Sequence, residues 1–573
     1  MRLVSFGFLL ASLAGTAQAA YAQPEGYAPP AVDYADPGAP PEPLPMASAS
    51  PQDAGPPLAA APGPRRLSVD LAAYVEADVG VSADIAGGDD EVLTYAGVAV
   101  GVEGQVRTRR VSAGFSYRYE RRMELSGDLP DDDSHSGIAS ARVEVVPRLV
   151  SVEGGGLATR TGGSGRAFGV TDQEAGTEVF AGYVGPTLTT RSGPVAINAF
   201  YRLGYVHVDD ESLAVASQPD GRLETTVQLA GVSAGVAPRG GRIGWTVSAG
   251  HMSASTSSFD SEFDSQFVRG DVVLPVNPSF AVSAGVGYSR ARASERDVLR
   301  GPNGVPIFDA EGNLFPDPNG PRVETLDSDG IYADAGFIWR PSPRSELQLR
   351  AGVNDDGQPV VLGSAAFQVG RNFGIGFSLY DNDETFGTSL VNDLNSLPED
   401  IDIRRDPFTG GLIAGCVFSK EQPGRGVCLS PALQSINRVT FRERGGSLLF
   451  SGGGRTWSWG GGVSYARRDT YAPDDPFFAT AFLAPDEQDL SLFATAGRSL
   501  SPLADLTFDG FASFFDSEAP GRDVTTLGGR VSFSQSFLLR RLQLLTGLGL
   551  TYRSLLGDDV LTAEAILALR YTF

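Results

Sequence analysis

Residues 560–573 read VLTAEAILALRYTF and end the chain. Every second residue from Leu561 to Phe573 is apolar, and the last two of that set are aromatic. The alternate set includes Glu564 and Arg570. Because side chains alternate across a β-strand, one face of this strand is apolar and the other carries charge. The stretch therefore predicts a strand whose apolar face either meets lipid around a polar interior or is buried in the sandwich of a soluble β-protein.

The aromatic C-terminus adds a second indication of a membrane barrel. Tyr571 and Phe573 resemble the C-terminal insertion signal of Gram-negative outer-membrane barrels, although Ile566 and Ala568 stand where that signal favours a polar residue and a Gly. The resemblance implies that Tyr571 and Phe573 act in assembly, and that the barrel-assembly machinery is a partner.

The N-terminus predicts export. Arg2 precedes an apolar run, and two A-x-A cleavage candidates follow at 17–19 and 20–22, so residues 1–22 read as a signal peptide. Residues 23–66 are rich in Pro and Ala and predict a disordered periplasmic tether. The sequence after residue 22 has no apolar run of about 18 residues that would predict a membrane helix. Residues 67–573 are assigned to an outer-membrane β-barrel.

Composition excludes some functions. The net charge of -24 argues against nucleic acid as a partner, because phosphates attract basic surfaces. The apolar fraction of 42% fits a barrel in which only alternate strand residues meet lipid. Cys416 and Cys428, the two cysteines, predict a loop disulfide in an oxidising compartment. A metal site is less favoured, since no His or third Cys is near, and no cofactor is expected.

The two-residue period recurs along the chain. Apolar residues from Val111 to Tyr119 alternate with a polar set that includes Arg118 and Glu120. The period predicts an all-β protein: a transmembrane, antiparallel, up-and-down barrel of about 22 strands, with a range of 18–24. Arg118, Glu120, Glu564 and Arg570 are then expected to carry charge in the lumen.

The connections between these segments alternate in length. Short turns carry Arg, and longer connections carry Asp and Glu, as expected for periplasmic turns and outer loops. The longest loops, Ser294–Asp327 and Glu384–Gln434, would narrow the lumen if the protein is a conduit. An acidic outer mouth that favours cations is expected from Asp128, Asp131, Asp132, Asp133, Asp209, Asp210, Asp474 and Asp475. Outer-membrane lipid and lipopolysaccharide are the expected surroundings.

No enzyme motif stands out. His135, His207 and His251 are far apart, but His251 and Ser253 share one strand face. Outer-membrane lipases and deacylases use Ser and His on barrel strands, yet a triad is recognised by geometry rather than by spacing. Without such geometry, we expect no catalytic residues and no enzymatic activity.

From about Ser68 onward, the chain resembles the porin-like β-barrel families of proteobacteria, in particular those encoded with exopolysaccharide and PEP-CTERM systems. The resemblance lies in residues 71–80 (LAAYVEADVG), in the acidic loop at Gly87–Glu91 and in residues 377–383 (FSLYDND). It implies a role at the cell surface, with polysaccharide-export components as partners, and it transfers no catalytic residue.

Two functions remain open at this level. A porin-like conduit would use its long loops to narrow the lumen, whereas a surface scaffold would use them to bind a partner or envelope polysaccharide. A TonB-dependent transporter is not expected, because only the Pro-rich tether precedes residue 67 where a plug domain would stand. Loops folded inward favour a conduit, and loops splayed outward favour binding.

Overall fold

The structure is a computed structural model of the 573-residue chain. It describes residues 68–573 except for 88–91, 127–131, 162–176, 210–220, 239–241, 309–314, 371, 403–404, 407, 409, 412–415, 421, 435, 437–438, 472–485, 519–522 and 556–557. The predicted signal peptide and tether lie outside the described residues. Among the described residues, no helix is long and apolar enough to cross a membrane.

Twenty-two antiparallel strands form one sheet. The first fifteen are β1 Ser68–Ala86, β2 Val92–Arg107, β3 Val111–Ser126, β4 Asp132–Val146, β5 Val150–Thr161, β6 Thr177–Ser192, β7 Val195–Asp209, β8 Arg222–Val236, β9 Gly244–Thr256, β10 Ser261–Asn277, β11 Phe280–Arg296, β12 Arg322–Ser342, β13 Ser345–Val353, β14 Pro359–Val369 and β15 Phe373–Glu384.

A second group of elements follows β15 before the sheet resumes. Between β15 and β19 lie helix α1 Phe386–Asn395, strands β16 Ile401–Asp402, β17 Cys416–Ser419 and β18 Gly426–Cys428, and helix α2 Ser430–Gln434. The sheet then continues with β19 Phe441–Gly453, β20 Trp457–Thr470, β21 Glu487–Ser501, β22 Ala504–Ser517, β23 Val524–Phe537, β24 Leu542–Leu555 and β25 Asp558–Thr572.

The sheet closes on itself. Each barrel strand pairs with its sequence neighbours, and β1 pairs with both β2 and β25, with Tyr74 opposite Thr572 and Ser82 opposite Glu564. Closure leaves no unpaired edge, which a sheet in hydrocarbon requires because no water is there to satisfy exposed backbone groups. The predicted 22-strand antiparallel barrel is confirmed, and the chain is an outer-membrane β-barrel.

The two faces of the strands differ as the alternation predicts. On β1, Val75 and Val79 are 40% and 45% exposed on the outer face, whereas Glu76 and Asp78 are buried against the inner wall. On β25, Leu567 and Leu569 face outward and Glu564 faces inward. An outward apolar belt and a charged interior are the features of a membrane barrel.

The two ends of the barrel are built differently. One end carries short turns, among them 193–194 with Gly193 at φ 59°. The start of β1 and the end of β25 lie at this same end. The other end carries most of the longer connections, including 385–440. By the usual rule for such barrels, the turn end faces the periplasm and the loop end faces outward.

In the described part of the connection between β11 and β12, the two arms stay paired beyond the ends of the strands. Isolated bridges join Val298 to Pro316 and Arg300 to Pro306. At its base, Arg296 and Arg322 bind the Asp260 carboxylate in the β9–β10 turn. These contacts run along the barrel rim, so the prediction that 294–327 narrows the lumen finds no support in them.

The C-terminal strand gives a testable prediction. The Phe573 backbone N–H donates to the Ala73 carbonyl at 3.0 Å, and the Tyr571 and Phe573 rings meet edge to face at 5.3 Å. These residues therefore complete the closing seam as well as resembling an insertion signal. We expect deletion of Phe573 to lower the heat-resistant folded fraction in outer membranes, measured by gel mobility with and without boiling. Unchanged folding and abundance would contradict the assembly role.

Candidate functional site: a folded insert in the lumen

Residues 385–440, here called the insert, leave the barrel at the loop end and fold into the lumen. The insert contains α1, a three-stranded sheet of β16, β17 and β18, and α2. Its contacts are with inward-facing residues of the barrel wall. The prediction that Glu384–Gln434 lies inward therefore agrees with the structure, although Glu384 is still part of β15.

Helix α1 begins at a capping box. The Thr388 backbone N–H donates to Thr385 Oγ1, and the Thr385 N–H donates to Thr388 Oγ1 at 2.8 Å. The reciprocal bonds satisfy two donors that a helix N-terminus leaves without intrahelical partners. The helix ends at Asn395, where the Ser396 N–H donates back to the Asn392 carbonyl.

One face of α1 is fully apolar. Phe386, Leu390, Val391 and Leu394 lie on one face by their spacing, and each is at most 2% exposed. They pack against an apolar sector of the inner wall, made of Val179, Val206, Val208, Leu223, Val227 and Leu229 on β6–β8. Burying a side chain of this size is worth about 1.5–3 kcal/mol relative to leaving it exposed.

The wall approaches α1 closely at a glycine. A Cβ added to Gly204 on β7 would lie 2.7 Å from Val391 Cγ2. A larger residue there would overlap the helix, so Gly204 sets how near α1 lies to the wall.

Arg405 fixes the insert to β3 and β4. Its guanidinium donates to Ser116 Oγ, to Ser136 Oγ and carbonyl, and to the Gly410 carbonyl. Burial lowers the pKa of Arg405 to about 10, so the side chain is still charged at neutral pH. These acceptors are neutral oxygens, which replace the water that the guanidinium loses.

Asp406 and Phe408 fix the next part of the insert to β23 and β3. Asp406 forms an ion pair with Arg530, and both side chains are less than 10% exposed. The Phe408 ring is fully buried, lies 5.2 Å from the Arg530 guanidinium carbon, and packs with Tyr95 and Ile566. Its carbonyl accepts from Arg122 Nη2. A short segment thus combines an ion pair, a cation–π contact and an apolar contact.

The far side of the insert contacts the other half of the barrel. The Gly424 N–H donates to Ser451 Oγ on β19 at 2.7 Å, and the Pro423 carbonyl lies so close to Gly374 on β15 that a Cβ there would clash. Gln434 Nε2 donates to Ser491 Oγ and Ser513 Oγ on β21 and β22, at 3.1 Å each.

These contacts span the lumen. β3 and β15 are the third and fifteenth of the 22 barrel strands, so they are 12 strands apart in one direction and 10 in the other. Arg405 contacts β3, and Pro423 contacts β15. The insert therefore bridges nearly opposite walls.

The two cysteines lie inside the insert. Cys416 and Cys428 are opposite each other in the register of β17 and β18, and they form a disulfide across a sequence separation of 12. They pack beside Phe418, Leu449 and Phe493, of which the last two belong to the barrel wall. The disulfide predicted for an outer loop thus lies in the lumen, because the loop folds inward.

The four residues predicted to carry lumen charge point inward. Arg118 lies between Glu76 and Glu120, with N–O distances of 2.5 and 3.0 Å. Arg570 binds the other oxygen of Glu76 at 2.6 Å, and Glu564 lies 3.7 Å from Arg530. These side chains form two groups of ion pairs, one on β1, β3 and β25 and the other between β23 and β25. In the second group, Arg530 also pairs with Asp406 of the insert.

Of the residues predicted to form the acidic outer mouth, only some lie in the part of the chain that the structure describes. Asp133 and Asp209 lie on outward-facing strand positions and pair with Arg121 at 3.3 Å and Arg222 at 4.0 Å. Asp132 is the first residue of β4, and the others are outside the described residues. The cation preference stays a prediction. Among the described residues, no group of three or more His, Cys, Asp or Glu is placed to hold a metal ion.

Several insert residues were missed at the sequence level. The spacing of Phe386, Leu390, Val391 and Leu394 after Thr385 is the pattern of a capped amphipathic helix, and it could have been found within the acidic loop. No local pattern marks Arg405, Asp406 and Phe408, because their partners lie more than a hundred residues away in the chain.

Three of the solved structures similar to this chain are an iron transporter, an import receptor and a siderophore receptor. The FrpB iron transporter (F3-3 variant) of Neisseria meningitidis matches at 11% identity and a TM-score of 0.41, over 88% of this chain and 81% of that one. The ferric-catecholate import receptor Fiu of E. coli K12, closed form, matches at 8% and 0.42, over 89% and 82%. The siderophore receptor PirA of Pseudomonas aeruginosa matches at 9% and 0.35, over 89% and 81%.

No protein-family model matches the chain, and no curated protein matches it. The resemblance to exopolysaccharide-associated porins stays a prediction.

The packing of α1 gives a second testable prediction. We expect Gly204→Val to push α1 off the wall, because overpacking costs about 1–3 kcal/mol. Amide hydrogen exchange of residues 386–395 should then be about 5- to 150-fold faster, with the barrel strands unchanged. Gly270→Val is the matched control, since a Cβ at Gly270 has nothing within 4 Å. Equal exchange in both variants would contradict the packing described.

The disulfide gives a third prediction. Replacing both Cys416 and Cys428 by Ser should destabilise the insert by up to about 3 kcal/mol in the chain-entropy model. The barrel itself should keep its heat resistance, because its ladder does not include these residues. Limited proteolysis should cut the variant faster within 385–440. In the native protein neither thiol should react with an alkylating reagent before reduction, and labelling of both would disprove the bond.

Proposed function

We propose that this outer-membrane β-barrel is a conduit whose lumen is obstructed by the insert. The observation that carries the proposal is the set of contacts from the insert to nearly opposite walls, through Arg405 on one side and Pro423 on the other. A 22-strand barrel encloses a lumen too wide for wall side chains alone to fill, so a folded insert decides what passes.

The attachment of the insert supports a gate. The chain connects the insert to the barrel at the loop ends of β15 and β19. The insert can therefore shift without breaking a hydrogen bond between barrel strands. The Asp406–Arg530 pair and the Arg405 hydrogen bonds are polar contacts that water can replace. Movement outward would open a path beside the charged wall of Arg118, Glu120, Glu564 and Arg570.

A scaffold is the second candidate, and one observation favours it. The apolar face of α1 is fully buried against β6–β8, which is typical of permanent packing rather than of a moving gate. In that case the insert would close the barrel, and the outer loops would bind a partner or envelope polysaccharide. A link to polysaccharide secretion rests on the family resemblance of residues 71–80 and 377–383.

Conductance in planar bilayers separates the two functions. We expect the intact protein to conduct, and a variant with 385–440 replaced by a short turn to conduct more. Arg530→Gln should open more often, because it removes the ion pair that holds Asp406. Arg498→Gln is the matched control, since Arg498 stacks on Trp457 on the outer face near the turn end.

The outcomes are distinct. An intact protein that conducts, with larger currents after deletion, supports the gated conduit. A silent intact protein and a conducting deletion variant would favour the permanently closed scaffold. Silence in both forms would rule out the conduit.

A further inference from the structure

A cluster of polar side chains lies on the outer face of the barrel, away from the lumen and the insert. It consists of His251 and Ser253 on β9, Asp264 and Gln266 on β10, and Gln228 on β8, and is called here the β8–β10 cluster. In the sequence, His251 and Ser253 stand without visible partners. The closed sheet brings the other three beside them.

An acidic residue faces the histidine. His251 Nδ1 lies 3.5 Å from Asp264 Oδ2, and Gln266 Nε2 donates to Asp264 Oδ1 at 2.9 Å. Arg292 is opposite Asp264 in the register, but its Nε donates to Asp327. A carboxylate at Nδ1 orients a histidine ring and leaves Nε2 as the basic nitrogen.

Ser253 lies between the acid and an amide. In the register it is directly opposite Asp264 on one side and Gln228 on the other. It is two residues from His251, so the two Cα atoms are about 6.6 Å apart, within the combined reach of a histidine ring and a serine hydroxyl. In unliganded enzymes, bonds between such groups are often long and tighten when substrate binds.

Gln228 is placed to donate a hydrogen bond next to Ser253. The Tyr201 hydroxyl donates to Gln228 Oε1 at 3.1 Å. In this orientation of the amide, the bond occupies the carbonyl oxygen of the Gln228 side chain. The amide N–H groups then serve as donors to an oxyanion that forms beside Ser253.

The position of the cluster selects the substrate class. Towards the turn end, the outward residues Val247, Val268 and Val272 are 47–51% exposed and belong to the apolar belt. Towards the loop end, the outward residues are Glu262 and Ser255. The cluster therefore lies at the outer edge of the hydrocarbon layer, where the acyl esters of outer-leaflet lipids meet water.

We propose that the β8–β10 cluster is a hydrolytic site for ester-linked acyl chains of outer-leaflet lipids. Ser253 Oγ attacks the ester carbonyl carbon while His251 Nε2 takes its proton. The C–O bond to the lipid alcohol breaks, and the alcohol leaves with the proton from His251. Water, deprotonated by His251, then attacks the acyl-Ser253 ester, which releases the fatty acid and restores the serine.

The test uses the full-length folded protein in vesicles. One set contains lipid A with phosphatidylethanolamine, and the other contains phosphatidylethanolamine alone; released fatty acid and shortened lipids are measured by mass spectrometry. We expect Ser253→Ala and His251→Ala to lower release by about a hundredfold or more. A fluorophosphonate probe should label the native protein at Ser253. Gln228→Leu should lower kcat more than it changes KM.

Matched controls are available on the same surface. Ser255→Ala removes the next outward serine of β9. His207→Ala removes a histidine that also faces a carboxylate, Glu224 at 3.8 Å, but is followed two residues on by Asp209 rather than a serine. Both should retain native rates, and all variants should keep the heat resistance of the native barrel.

The two vesicle sets identify the lipid. Fatty acid released only in the first set assigns the site to the glycolipid, and release in both sets assigns it to ester-linked lipids in general. The proposal is overturned by no release from either set, or by release and probe labelling that persist in Ser253→Ala.

Discussion

The closing seam between β1 and β25 is the constraint on which the rest of the molecule depends. In hydrocarbon an open edge would leave a row of N–H and C=O groups without partners, each at a cost of several kcal/mol. Antiparallel pairing of the first strand with the last removes that edge and fixes the outward and inward parity of every strand between them. Arg118 and Glu564 face the lumen for the same reason that Val75 and Leu567 face lipid.

Closure at 22 strands creates a second requirement, because the interior is too wide for wall side chains alone to fill. The chain meets it with two kinds of inner wall. On β1, β3, β23 and β25 the wall carries paired charges that bind Asp406 and Phe408. On β6–β8 it is apolar and receives the buried face of α1. The insert is amphipathic in a matching way, and this match explains how it stays docked inside a mostly polar barrel.

The barrel could be predicted because lipid forces a two-residue period, and because short and long connections alternate. The strand number follows from counting these segments. The apolar sector of β8 could not be assigned this way: Leu223, Val227 and Leu229 face inward, while their alternates Glu224 and Gln228 lie outward above the apolar belt. Parity alone would send the apolar set to lipid. Contacts such as that between His251 and Asp264 depend on the register of β9 and β10, and no local sequence pattern predicts that register.

The insert enters and leaves the lumen through the same opening, since β15 ends and β19 begins at the loop end. The chain is therefore not threaded through the barrel, and the insert can be withdrawn toward the exterior like a folded flap. Pro423 and Gly424 extend to Gly374, the second residue of β15 at the turn end, whereas both covalent connections of the insert to the barrel lie at the loop end. Outside ligands and surface forces thus have direct mechanical access to it.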